Sequence, residues 1–233
     1  MNSSYEISRG TPVAAERADV RSAFISRTYS HLFAAIGAFA LIEAYLFSSG
    51  LAETIAQAML GTSWLLVLGG FILVSWLASR LAYSAQSTAA QYGGLAAFVV
   101  AEAIVFVPLL FVAQSLAPGV IQSAAMVTLL GFTGLTALVF YTRRDFSFLG
   151  NVLKWGGILA LVLIVAGVIF GFQLGTFFSV AMIGLAGAAI LYDTSNVLRE
   201  FPADRHVAAA LQLFASVAMM FWYVLRLFLG SRD

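Results

Sequence analysis

The chain contains no cysteine. Disulfides, thiol catalysis and thiolate metal sites are therefore excluded. Charge is almost as scarce. Only 10% of the 233 residues are Asp, Glu, Lys or Arg, where soluble domains carry about a quarter. The formal net charge is +1, and no basic run offers a surface to nucleic acid. There are two histidines, His31 and His206, and neither has a second ligand four residues away as a helical metal motif requires. Neither a GxSxG elbow nor an aspartyl-protease pair occurs, so the sequence reads as a non-enzyme without cofactor or metal.

What replaces these residues is hydrocarbon. The chain is 61% hydrophobic with a mean hydropathy of +0.95. A bilayer core takes about 20 apolar residues per helix. Seven segments meet that length, at roughly 28–49, 62–82, 92–113, 119–141, 148–170, 174–193 and 207–229. The expected fold is an all-α membrane protein with seven transmembrane helices and the lipid bilayer as its main partner. Residues 1–27, with four arginines and three acids, read as a polar cytoplasmic tail ahead of a membrane domain at 28–233. The first apolar run is too long for a signal-peptide core, so it reads as a retained helix.

Arginine placement sets the expected orientation. With the N-terminus inside, the inner side holds Arg9, Arg17, Arg21, Arg27, Arg80, Arg143, Arg144, Arg199 and Arg205, and the outer side holds only Arg232. That asymmetry predicts N-terminus cytoplasmic and C-terminus outside. Gly167, Gly171 and Gly175, with Gly184 and Gly187, are spaced for close helix approach within the bundle. Trp64, Trp76, Tyr141, Trp155 and Tyr192 fall near expected interfaces and read as belt residues.

An acid inside an apolar span costs roughly 2.5–3.5 kcal/mol on insertion scales, so each needs a reason. Three such acids occur: Glu43, Glu102 and Asp193. Glu102 precedes Pro108 on the same helix, and the proline removes a backbone donor and frees a carbonyl. It reads either as an ion or proton step or as a protonated acid hydrogen-bonded across helices. Asp193 closes the sixth apolar run, in "ILYDTSNVLRE". It reads either as a latch paired with Arg80 or its neighbours at an inner mouth, or as part of a helix-end polar cluster with Thr194, Ser195 and Asn196. A seven-helix retinal protein is excluded, since the seventh run has no lysine for a Schiff base.

"LYDTSNV" (191–197) resembles the sixth-helix signature of the Bax inhibitor family. "YTRRDFSFLG" (141–150), with Arg143, Arg144 and Asp145, is similar to that family's fourth-to-fifth helix junction, and "RTYSHLF" (27–33) to the start of its first helix. The ending "FLGSRD" is similar to the bacterial branch that includes an inner-membrane modulator of the FtsH protease. The resemblance implies six helices around a central seventh. It also implies a bacterial inner-membrane location, with roles in stress response and quality control, or in calcium leak gated by paired aspartates on helices six and seven. Asp193 matches the first aspartate. About 23 residues on, the second is replaced by Ser216, and the seventh helix has no acid. The absent pair favours a partner-binding role with an FtsH-type protease. Calcium or proton passage through Asp193, Ser216, Glu102 and Arg80 is the alternative.

Overall fold

The computed structural model describes residues 11–83, 87–116 and 118–230. Eight α-helices follow in order: α1 (Ala18–Ser48), α2 (Leu51–Leu60), α3 (Trp64–Ala82), α4 (Thr88–Leu116), α5 (Val120–Thr142), α6 (Leu149–Phe170), α7 (Thr176–Arg199) and α8 (His206–Gly230). All but α2 are long and apolar enough to cross a bilayer. A bilayer core offers no water to unpaired backbone groups, so helices that satisfy their own are the stable solution. The protein is an integral membrane protein. The ending Arg232 and residues 1–10 lie outside the described residues.

The centre of the bundle is α8. It is the most buried of the seven spans and packs on α1, α3, α4, α5 and α7. Its first turns, His206–Leu213, carry three alanines, Ala208, Ala209 and Ala210, which lets neighbours approach closely. Outside this core, α6 lies against α7 and α3 and exposes most of its length. The seventh span is thus central as expected, with five of the other six packed on it and α6 set against α7 and α3.

Two boundaries differ most from the apolar runs. First, α1 starts at Ala18, ten residues before the apolar run at 28. Ahead of it, the tail is anchored: Val13 is fully buried and its N–H donates to the Phe201 carbonyl at 2.9 Å. Second, α7 runs on to Arg199, so Asp193, Thr194, Ser195 and Asn196 are helical rather than a terminal cap. Val197 explains the extension, because it is fully buried and continues the inward face beyond the polar quartet. The helix stops where Pro202 disfavours helical geometry at Phe201, and the Glu200 N–H closes the last turn on Asn196.

The connection 50–63 is also not a plain loop. Gly50, at φ +79°, breaks α1 and starts the short α2, which packs Ala52 and Ala56 against α1 and α4. The tightest glycine is Gly94 on α4, where a Cβ would stand 2.5 Å from the Ala78 carbonyl oxygen and 2.6 Å from the Ala82 nitrogen. Among the glycines marked from spacing, Gly171 serves a left-handed turn at φ +71°, Gly187 approaches Leu135, and a Cβ at Gly184 would meet open space. Trp64 turns inward and stacks on Trp222, unlike Trp76 and Trp155, which remain exposed.

Candidate functional site

The alternating spans bring the start of α1, the end of α3, the start of α4 and the α5–α6 and α7–α8 connections to one end of the bundle. Contacts there are dense. Phe146 N–H in the α5–α6 turn donates to Ser195 Oγ at 3.2 Å. Arg199 donates to the carbonyl of Arg143, the residue that ends α5 in a left-handed conformation at φ +50°. Ser147 N–H donates to Asp145 Oδ1 at 2.9 Å, which holds the exposed Asp145 carboxyl below its ordinary value. Arg144 is exposed. The two sequence motifs therefore meet: the turn after α5 is docked on the last turns of α7.

Inside this end lies Asp193, 4% exposed. Ser216 Oγ, from α8, donates to its Oδ2. Gln212, one helical turn earlier on α8, donates through Nε2 to its Oδ1. Tyr83 at the end of α3 donates its hydroxyl to Gln212 Oε1 at 2.7 Å, which fixes the orientation of that amide. The Tyr83 carbonyl in turn accepts from Arg205 Nη1 at 2.6 Å. Burial raises the Tyr83 phenol above its ordinary value, so it stays a donor. The result is a continuous polar chain across α3, α8 and α7: Arg205, Tyr83, Gln212, Asp193, Ser216.

Each Asp193 oxygen thus has one donor, and both donors are neutral. Arg80 does not take part. It is exposed, with its guanidinium 5.4 Å from the Trp76 ring centroid, and the described ion pairs are Arg17–Asp19 and Arg205–Asp204. The Asp193–Arg80 pairing expected from spacing is not formed; α3 turns Arg80 outward, and Tyr83 reaches the site instead. Glu102 is buried on α4, 8% exposed, and among the described residues it makes no hydrogen bond to Asp193 or Ser216. Around Ser216 and farther along α8, rings of Phe39, Phe106, Phe214, Phe221 and Trp222 pack edge-to-face or stacked at 5.0–6.2 Å between centroids. They form the aromatic part of the core next to the polar chain.

Gln212, Tyr83 and Arg205 escaped the sequence reading. The usable signal for Gln212 was its spacing of four from Ser216 in an otherwise apolar helix, which puts both on one face. The histidines also look different in space. His31 and His206 rings are 4.9 Å apart, and His31 Nε2 is 2.7 Å from the Tyr92 hydroxyl.

A carboxylate on the sixth span answered by Ser216 on a central seventh is the arrangement the sequence motifs implied. Comparison with known families then decides the matter: the model described as inhibitor of apoptosis-promoting Bax1 matches residues 21–233. The chain belongs to the Bax inhibitor family. An uncharacterised protein of Campylobacter jejuni is 29% identical over 96% of both chains. Protein LIFEGUARD 4 of Arabidopsis thaliana is 28% identical over 93% of this chain and 88% of its own. An uncharacterised protein of Pseudomonas aeruginosa is 32% identical over 47% of this chain and 49% of its own. The Bax inhibitor match spans every membrane helix, so the polar chain lies wholly inside the family's domain.

Proposed function

We propose that the protein regulates membrane-protein quality control in a bacterial inner membrane, through an FtsH-type protease. One observation carries this choice: Ser216 donates to Asp193 where the aspartate-gated leak would need a second carboxylate. Two carboxylates sharing a proton have one pKa raised toward the physiological range, so the pair can sense pH. One carboxylate held by a hydroxyl and an amide forms a fixed polar tie between α7 and α8. The orientation that suits this reading puts the arginine-rich end, with Arg143, Arg144 and Arg199, in the cytoplasm. A cytosolic protease would then reach the first ten residues.

The test is co-isolation with the protease and the half-life of its membrane substrates, with and without this protein. Removal of residues 2–10 leaves the Val13 anchor in place and so separates tail recognition from folding. Unchanged substrate half-lives in all three strains would sink the proposal.

A second reading is a cation or proton pathway, favoured by Glu102, a buried acid that partner binding does not explain. Calcium or proton flux into liposomes that rises in Asp193→Asn would support it. Flux no greater than from empty liposomes, at pH 5 and pH 7, would remove it.

A further inference from the structure

A cavity of about 260 Å³ lies between α1 and α5, floored by α4 and α8, and Glu43 lines it. Glu43 is 7% exposed, and among the described residues neither of its carboxyl oxygens has a hydrogen-bond partner. The Thr128 hydroxyl, 2% exposed, lines the same cavity and also lacks a partner. Buried polar atoms are paired in the great majority of cases, and an unpaired acid is the costliest exception. Two in one cavity point to a ligand that completes them.

The rest of the lining says which kind. It is apolar, with the rings of Phe39, Phe214 and Phe221, and no basic side chain contributes. A hydrocarbon tail would leave Glu43 unpaired, and an anion would be repelled. A protonated amine brings N–H donors for both oxygens, the counter-charge, and a cation that aromatic faces attract. The rim residues Ala40 and Leu129 are exposed on the outer surface of the bundle, so the mouth faces the bilayer. Size limits the guest: an apolar cavity of about 150 Å³ takes up benzene, so this one holds roughly one ring with a short alkyl arm.

We infer that the Glu43 cavity is a binding site for a small lipophilic amine entering from the membrane. Its occupant is independent of the Asp193 tie and of any protease partner. The probe is 4-phenylbutylamine, titrated calorimetrically into the full chain in lipid nanodiscs, with empty nanodiscs as reference and 4-phenylbutan-1-ol as the neutral control. Saturable amine binding is expected, weaker by about tenfold or more in Glu43→Gln, with the alcohol unaffected by that change. Ala125→Phe, which fills the cavity from α5, should abolish binding of both while the protein still elutes as folded. Equal binding of amine and alcohol, or amine binding indifferent to Glu43→Gln, would overturn the inference. So would binding that survives in Ala125→Phe.

Discussion

Ser216 Oγ on α8 donates to Asp193 Oδ2 on α7, across 23 residues of sequence. The bond ties the central helix to its most extensively packed neighbour at the arginine-rich end. Hydrogen bonds between membrane helices average about 0.6 kcal/mol and reach about 1.7. Ser216→Ala also leaves a buried carboxyl oxygen without its donor, so its cost should fall near the top of that range. Unfolding in mixed micelles by denaturing detergent measures it. A change within error of zero would mean that Gln212 alone satisfies Asp193.

Ser216→Asp rebuilds two carboxylates at hydrogen-bond distance. Both cannot ionise without repulsion, so the pair favours the state holding one proton. The variant should therefore lose stability from pH 5 to pH 8 by more than the parent does. Identical pH profiles of thermal unfolding for the two proteins would refute this.

Gly94→Ala should be among the most disruptive small substitutions. Its Cβ would meet α3 backbone at 2.5 and 2.6 Å, and backbone cannot swing aside as a side chain can. Forcing α3 and α4 apart costs about 1–3 kcal/mol. Gly184→Ala, where the Cβ meets open space, is the control and should be neutral in the same unfolding assay.

Val13 holds the N-terminal segment on the α7–α8 connection. Val13→Ala removes the equivalent of two methylenes, worth about 0.8 kcal/mol each when buried. Val13→Asp should detach the segment and create a new protease site near it. Limited proteolysis of the folded protein in nanodiscs reports the cut. Resistance equal to the parent would show that the anchor is dispensable.

Asp145 titrates in the turn that docks on Ser195. Ser147 N–H favours its charged form and lowers its pKa from the ordinary 3.8. A group depressed in the folded state contributes above its unfolded value, and that contribution fades as pH falls through the folded one. Protection from amide exchange at 145–148, taken relative to the intrinsic rate at each pH, should accordingly fall below about pH 4. Asp145→Ala should show the lower protection already at pH 7. No difference at pH 7 would mean that the turn holds without its carboxylate.

Several of these features could be read in the chain. Apolar runs marked seven spans with ends good to two or three residues in most cases, because hydrocarbon length demands them. The larger exceptions, α1 and α7, extend well past their apolar runs, and α4 starts four residues ahead of its own. There, polar residues stay helical because neighbours satisfy them: Asp193 by Ser216 and Gln212, Ser195 by Phe146 N–H. Hydropathy counts such residues as exits from the membrane and cannot register partners supplied by other helices.

The sequence by itself determined the membrane fold, the likeness to the family, the single carboxylate on the sixth span and the serine, Ser216, that stands where a second would be. Composition and the length of the apolar runs are enough for the fold, and the motif resemblance supplies the rest, since both depend only on residue type and order. Only the tertiary structure decided that Ser216 faces Asp193, and that Arg80 turns away while Tyr83, Gln212 and Arg205 build the polar chain. It also placed His31 beside His206 and left Glu43 facing an apolar cavity. Those outcomes depend on the rotation of each helix about its own axis. That rotation is set by packing against several neighbours at once, and no local stretch of sequence contains it.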